Sequence, residues 1–391
     1  MHNLMKKFSK YSFILLLFLM GSLSMKNHEE SKIEKLDPFI KKSLLLTPEV
    51  IKHYSDKLLE ILKYHDFKGN IILALDGKIV FEQCFGYADI SHKIKNDNNT
   101  AFQLASVSKQ FTAMGIAILN EKGMLKYDDL VKKYIPEFPY NNITIKHLLT
   151  HTSGLTNYVW QIENNWKKPN MPDNEDLIKL YVSHPLPLNF HPGAKYKYCN
   201  TGYAFLASVI ERVSGKSYAA FLKENIFDVL CMNNTYVYQK DMFDTISDLA
   251  LSYVKRGGRL THYENENSDG IVGDKGIYSS TEDLLKWDAA LYGDELLPQK
   301  SINELFKKNF TNKGDTVYYG YGWHLPKTNY PQMVYHNGWW HGNKATIRRY
   351  TSDRNTLIVL NNTNQKIAPI INEIQSFLYP EIQPETLDSL E

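Results

Sequence analysis

The chain has 391 residues, room for one large domain or two intimate ones at roughly 100 to 200 residues each. Its 43% hydrophobic, 13% aromatic and 23% charged residues are those of an ordinary globular protein, which excludes wholesale disorder, collagen-like repeats and coiled-coil rods. Lys plus Arg number 45 against 43 for Asp plus Glu, a net +2, so there is no field to draw in nucleic-acid phosphates or anionic lipid.

Lys6, Lys7 and Lys10 precede the unbroken apolar run Phe13 to Met20, and Ser22-Leu23-Ser24 supplies small residues after it. That is the layout of a secretory signal peptide over residues 1–24. The run falls well short of the roughly 20 residues that span a bilayer. The expectation is an exported protein, periplasmic or extracellular, with no stable membrane span after cleavage; an uncleaved anchor is the alternative. The first cysteine is Cys84, so a lipoprotein cleavage site is absent. Residues 25–47, polar and lysine-rich around Pro38, read as a flexible leader. Cys84, Cys199 and Cys231, odd in number and widely spaced, argue against a disulfide scaffold or a zinc site and are expected as buried small apolar side chains.

Pro48 and Glu49 open a helical pattern with Ile51, Tyr54, Leu58, Ile61 and Leu62 on one side. Asn70 to Leu75 and Lys78 to Gly86 are β-rich runs around Asp76-Gly77, a strong hairpin signal. At the far end, Thr346 to Tyr350 and Thr356 to Leu360 flank the turn-rich Thr351 to Asn355, a second hairpin, and Ile367 to Leu378 reads as a final helix with Ile370, Ile371, Ile374 and Leu378 aligned. Between them, helical patterns broken by Gly, Pro and Asn dominate. The expected fold is α+β. The N- and C-terminal segments, 48–100 and 321–391, build one antiparallel sheet flanked by helices, and 101–320 forms an inserted, mostly helical domain. A cleft between them is the natural ligand site.

Ser106-Val107-Ser108-Lys109 places a hydroxyl and an amine three residues apart, on one face of a helix. A lysine held in a partly desolvated site can take the serine proton and release a nucleophile for acyl transfer. A second Ser-x-x-Lys occurs at Ser252, so context must choose between them. Leu104, Val107, Phe111, Met114 and Ile118 recur at helical spacing around Ser106, with Gly123 as a stop. The free N–H groups at such a helix start favour the negative charge that an attacked carbonyl oxygen develops. Ser252 runs into Arg256-Gly257-Gly258 and lacks this setting.

Tyr198-Cys199-Asn200 offers a second proton-transfer group and a polar grip on an acyl substrate. Tyr-x-Asn also occurs at Tyr140 and Tyr263, but only Tyr198 lies in a turn that leads into an apolar helical run, Ala204 to Val213. His336-Asn337-Gly338 closes the strand-like Met333-Val334-Tyr335 just before the C-terminal hairpin, where an edge strand can line the cleft. His151, beside Thr152, Ser153 and Gly154, is read as structural rather than as a serine–histidine pair.

With Ser-x-x-Lys at Ser106, Tyr-x-Asn at Tyr198 and His-x-Gly at His336 in this order, the chain resembles the penicillin-recognising serine hydrolases over residues 48–378. The similar branch holds class C β-lactamases, DD-peptidases, D-aminopeptidases and esterases. The phrases Ile145 to Leu155, Gly273 to Leu284 and Tyr319-Gly320-Tyr321-Gly322-Trp323 look like that branch too. The resemblance implies a β-lactamase/DD-peptidase-like fold. Ser106 is then the acylated nucleophile, Lys109 its activating partner, Tyr198 a general acid/base and Asn200 a substrate hydrogen-bonding group. His336 and Gly338 line the substrate strand, and the backbone N–H groups of Ser106 and Trp339 form an oxyanion hole. Neither a metal nor an organic cofactor is implied. The partner is a small-molecule or peptide substrate, and no oligomeric state is specified.

His336 stands where many members carry lysine, which weakens the grip on a substrate carboxylate, and Trp339 and Trp340 narrow the cleft or give it a stacking wall. Esters and neutral amides become more open as substrates. The expected function is an exported serine hydrolase acting through an acyl-enzyme on a peptide-like amide or ester. A class C-like β-lactamase and a non-hydrolytic penicillin-binding or sensor protein are the alternatives.

Overall fold

A computed structural model describes residues 46–327 and 332–380; the signal peptide over 1–24 and nearly all of the leader lie outside the described residues. The chain divides into two compact units, up to Asp56 and from Lys57 onward. Of the first, the described residues are the opening turns of helix α1 (Pro48–Tyr64). Pro48 starts it where a missing N–H costs nothing, and Glu49 in the first turn with Lys63 in the last complements the helix dipole.

The second unit begins with strands β1 (Gly69–Leu75) and β2 (Lys78–Phe85). Asp76 and Gly77 between them have φ of 51° and 73°. Left-handed backbone at both positions is a type I′ turn, whose twist matches that of the strands, which is why Asp-Gly signals a hairpin. Three short strands, β3 (Phe102–Gln103), β4 (Tyr236–Val237) and β5 (Ile277–Ser279), form a small sheet of order β3-β5-β4 within the middle of the chain. The sequence reading did not separate it from the helical patterns, because strands of two or three residues are too short to show a period.

Strands β6 (Met333–Trp340), β7 (Asn343–Tyr350) and β8 (Asn355–Asn361) complete the main antiparallel sheet in the order β6-β7-β8-β1-β2. The N- and C-terminal hairpins join where Asn70 pairs with Leu360 and Ala74 with Thr356. β1 is therefore an interior strand, paired on both sides and buried along its whole length. The resulting α+β architecture, one antiparallel sheet from the two chain ends with helices around it, is the expected one.

Helix α2 (Lys109–Glu121) and the shorter α3 (Tyr158–Asn165) precede α4 (Asn200–Ser214), α5 (Thr281–Ala290) and the final α6 (Ala368–Leu378). Ser280 caps α5 by accepting from the Asp283 N–H at 3.2 Å. On that helix Asp288 binds buried Arg349 through Nε and accepts from Thr356 Oγ1 at 2.7 Å, which ties α5 to β7 and β8. One continuous core runs from Phe111 and Met114 on α2 through Phe205 and Val209 on α4 to Ile347, Ile358 and Leu360 of the sheet. The sheet and the helical part thus share a single interior.

Two local expectations are corrected. β6 does not end at Tyr335 but continues through His336, Asn337 and Gly338 to Trp340. Asn and Gly are poor strand formers, but the ladder to β7, closed by the turn at His341 (φ 53°), overrides that preference. Cys231 is exposed and Cys84 half-buried, and only Cys199 is fully buried as expected. Cys231 sits at φ 53° in the turn after a helix, a surface position set by backbone geometry rather than by apolarity.

Candidate active site

One irregular residue, Leu104, separates β3 from the turn that carries Ser106. Ala105 has φ 48°, left-handed backbone that a non-glycine residue adopts only under constraint. Ala105–Ser108 is one 3-10 turn that passes directly into α2 at Lys109. Lys109 Nζ donates to Ser106 Oγ at 2.9 Å and to the main-chain oxygen of Asp274 at 2.8 Å. The amine is completely buried. Burial lowers its pKa to about 7, against an opposing pull from Asp274. An amine that is about half neutral at pH 7 and bonded to a hydroxyl can accept that hydroxyl's proton.

The other Ser-x-x-Lys is placed differently. Tyr253–Arg256 is a strand of a surface hairpin, and along a strand residues three apart point to opposite faces. Ser252 Oγ instead accepts the Gly342 N–H at 2.9 Å.

Tyr198 and Asn200 flank Cys199, the residue that caps α4. The Tyr198 hydroxyl end faces Ser106, and desolvation there holds its pKa well above 10 although the residue as a whole is 36% exposed. Its ring lies 5.0 Å from Lys109 Nζ. Asn200 lines a cleft of about 790 Å³ together with Trp339, Trp340, Tyr263 and Lys344, a volume that suits a peptide-sized ligand. Of the other two Tyr-x-Asn sites, Tyr140 bonds the Leu186 carbonyl and Tyr263 stacks on His341 at 4.2 Å.

β6 is the edge strand that brings the remaining residues to the serine. Tyr335 turns its N–H and C=O away from β7, to His324 at 3.2 and 2.8 Å. Antiparallel pairs alternate, so Asn337 and Trp339 also turn their N–H groups to the open edge. That is the orientation an oxyanion-hole donor needs. A Cβ on Gly338 would stand 2.1 Å from the Leu104 oxygen, so only glycine lets this strand approach the serine turn. Trp339 is 52% exposed and its ring forms the outer wall.

His336 is brought to the cluster but not to the cleft. It is 1% exposed, and both ring nitrogens are engaged. Nδ1 lies 2.7 Å from the Asn337 oxygen and Nε2 2.9 Å from the Tyr319 hydroxyl. A carbonyl can only accept, so Nδ1 carries the proton and Nε2 takes one from Tyr319. Burial, with His324 and Lys109 nearby, holds its pKa well below 6.5. A neutral ring packed 6.2 Å from Tyr198 is a prop for the tyrosine, not a cation for substrate.

Three further residues shape the site. His151 is buried, packs its ring against Tyr198 at a tilt of 36° with centroids 4.2 Å apart, and accepts the Cys199 N–H on Nδ1 at 3.1 Å. It clamps the Tyr-Cys-Asn segment, a role its loop motif alone did not reveal. A usable signal was Gly154, whose Cβ would meet the Phe190 oxygen at 2.1 Å and which therefore folds the loop onto the segment leading to Tyr198. Tyr319 and His324 lie in or beside the glycine-interrupted aromatic phrase Tyr319 to Trp323, and their rings pack 5.0 Å apart. Gly322 in that phrase would place a Cβ 2.8 Å from the Lys109 oxygen. Among the described residues no group of three or more His, Cys, Asp or Glu is arranged to hold a metal ion.

Residues 67–370 match the beta-lactamase family model. Penicillin-binding protein 4* of Bacillus subtilis is 38% identical over 327 residues, covering 80% of this chain and 72% of that protein. A putative penicillin-binding protein of the same organism, PbpX, is 31% identical over 84% of this chain and 79% of its own length. The crystal structure of a penicillin-binding protein from Bacillus halodurans superposes with a TM-score of 0.71 at 27% identity, over 82% of this chain and 98% of that one. The chain therefore belongs to the beta-lactamase family, the penicillin-recognising serine hydrolases.

Proposed function

We propose that the protein is an exported hydrolase that works through an acyl-enzyme on Ser106, cleaving a peptide-like amide or an ester in the manner of a DD-peptidase, D-aminopeptidase or esterase. The carrying observation is the buried amine of Lys109 at 2.9 Å from Ser106 Oγ, with its pKa lowered to about 7. Lys109 in its neutral form takes the Ser106 proton as Oγ bonds to the substrate carbonyl carbon. The carbonyl oxygen gains the negative charge and is held by the N–H groups of Ser106 and Trp339. The tetrahedral species collapses by breaking the bond to the leaving nitrogen or oxygen. That atom takes the proton of the Tyr198 hydroxyl, which the Lys109 ammonium replaces. Water then attacks the acyl-enzyme by the same steps in reverse order, Asn200 steadying the acyl group.

Because desolvation keeps Tyr198 protonated, in acylation it serves as the acid and Lys109 as the base, and the two exchange roles in deacylation. Neutral His336, with both nitrogens engaged, puts no cation on the substrate strand, which supports esters and neutral amides over substrates held by a carboxylate at that point. Export rests on the layout of residues 1–24.

Intact-mass spectrometry with a fluorophosphonate and, separately, a penicillin tests the reading. One adduct per chain that disappears in Ser106→Ala is expected, with a long-lived penicillin adduct. Rapid loss of the penicillin adduct with release of hydrolysed drug would favour a β-lactamase, and no adduct with either reagent would overturn the acyl-enzyme.

A further inference from the structure

The proposed proton path uses Ser106, Lys109 and Tyr198, yet three further buried polar side chains lie directly behind Lys109 without a part in it. Asp274, Lys275 and Tyr158 are 1%, 2% and 0% exposed. The Tyr158 hydroxyl donates to the Asp274 carboxylate, with oxygens at 3.1 and 3.3 Å. Tyr158 is itself fixed at the start of α3, where its N–H donates to Thr201 Oγ1 at 2.8 Å. Lys275 Nζ donates to the Ser268 and Ile271 oxygens at 2.6 and 2.7 Å and lies 4.9 Å from the Trp340 ring. The loop is locked as well. Gly273 and Gly276 have φ of 106° and 90°, and a Cβ on Gly273 would stand 2.5 Å from the Tyr203 oxygen.

Buried ionic groups of this kind are costly unless paired, and here they surround the one main-chain oxygen that holds the reactive amine. The other groups facing Lys109 are Ser106, Tyr198, Cys199 and Tyr203 from the serine turn and α4, and His151, His324 and His336 from the loops and β6. Burial keeps those tyrosines and Cys199 protonated and the three histidines neutral at pH 7. Among the described residues the acidic and basic side chains that remain beside Lys109 are Asp274 and Lys275, and burial lowers the pKa of Lys275 as well.

We propose that the Tyr158–Asp274–Lys275 cluster is a positioning device for Lys109: the Asp274 oxygen aims the amine at Ser106, and the two opposed charges set how readily it holds a proton. The inference rests on the Ser106–Lys109 reading above and goes beyond it, since it assigns residues that touch neither substrate nor nucleophile.

The test is the pH dependence of Ser106 acylation by a fluorophosphonate in the full mature chain. Asp274→Asn keeps the shape and the Tyr158 bond but removes the negative charge, so the acid limb moves to lower pH. Lys275→Met removes the positive charge, so the limb moves to higher pH. Each shift is expected to be about half a pH unit or more, with saturating rates falling far less than in Lys109→Met. Tyr158→Phe, one hydroxyl lighter, serves if either variant fails to fold, and moves the limb through loosening of the carboxylate. Direct titration of Lys109 by NMR of lysine labelled at the ε-carbon, assigned with Lys109→Met, reads the same shifts whether or not Ser106 reacts. Opposite shifts support the device. Folded variants whose Lys109 titration is unmoved, or moves the same way in both, overturn it, while a wild type that titrates as expected but never acylates overturns the reading of Ser106 alone.

Discussion

Lys109→Met sets stability against activity with a sign fixed by burial. The folded chain releases the Lys109 proton at about pH 7, whereas a lysine in an unfolded chain keeps it to about pH 10.4. Between those values the unfolded state binds more protons, so native stability rises with pH across that window. At or below pH 7 the buried amine therefore weakens folding by about 4 kcal/mol. Methionine keeps the unbranched side chain and removes the charge, but it forfeits the bonds to Ser106 Oγ and the Asp274 oxygen, which offset about 1–3 kcal/mol of the gain. The variant should be more stable than wild type by about 1–3 kcal/mol at pH 7, with the advantage shrinking as pH rises and turning into a deficit near pH 10, where the wild-type penalty has nearly gone and the lost hydrogen bonds remain. Acylation should fall roughly 100- to 10,000-fold. Urea unfolding of both proteins across this pH range, with fluorophosphonate labelling in parallel, measures both quantities. A variant that is less stable than wild type by the same amount at every pH would refute the claim that the amine is held against a desolvation penalty.

Further outcomes follow from the same geometry. Tyr198→Phe keeps the ring against His151 and removes only the hydroxyl, so stability should change by less than about 1 kcal/mol, while acylation or deacylation slows roughly 100- to 10,000-fold in single-turnover kinetics. Gly338→Ala forces β6 away from the Leu104 oxygen; unfolding should show a loss of about 1–3 kcal/mol, and acylation should slow because the Trp339 N–H moves with the strand. Asp288→Ala leaves Arg349 buried without its partner and should cost about 3–5 kcal/mol in urea unfolding, much of it recovered when Arg349→Met is added.

The elements legible in the sequence are those whose cause is local. Asp76-Gly77 names its own turn, because the twist of two strands and the φ tolerance of two residues decide it. The apolar spacing around Ser106 marks a buried helix, and three residues along that helix bring Lys109 to the hydroxyl, so the reactive pair could be read directly. The meeting of the two chain ends in one sheet was also readable, since both ends are β-rich hairpins with no other partner of the same kind.

What the sequence could not contain is which distant groups surround that pair. Tyr198, Tyr140 and Tyr263 carry the same triplet; the turn into an apolar helix already favours Tyr198 in the sequence, but only the tertiary structure sets its ring 5.0 Å from Lys109 Nζ. His336 reads as a weakened cation, but enclosure beside Tyr319 makes it a neutral prop. His151 reads as a loop residue, yet it supports Tyr198 from below. By itself the sequence determined the hairpins, the helices and the Ser106–Lys109 spacing, because short-range sterics and periodicity act within a few residues. Only the tertiary structure decided protonation, support and cleft, because desolvation and packing depend on neighbours that arrive from a hundred or more residues away.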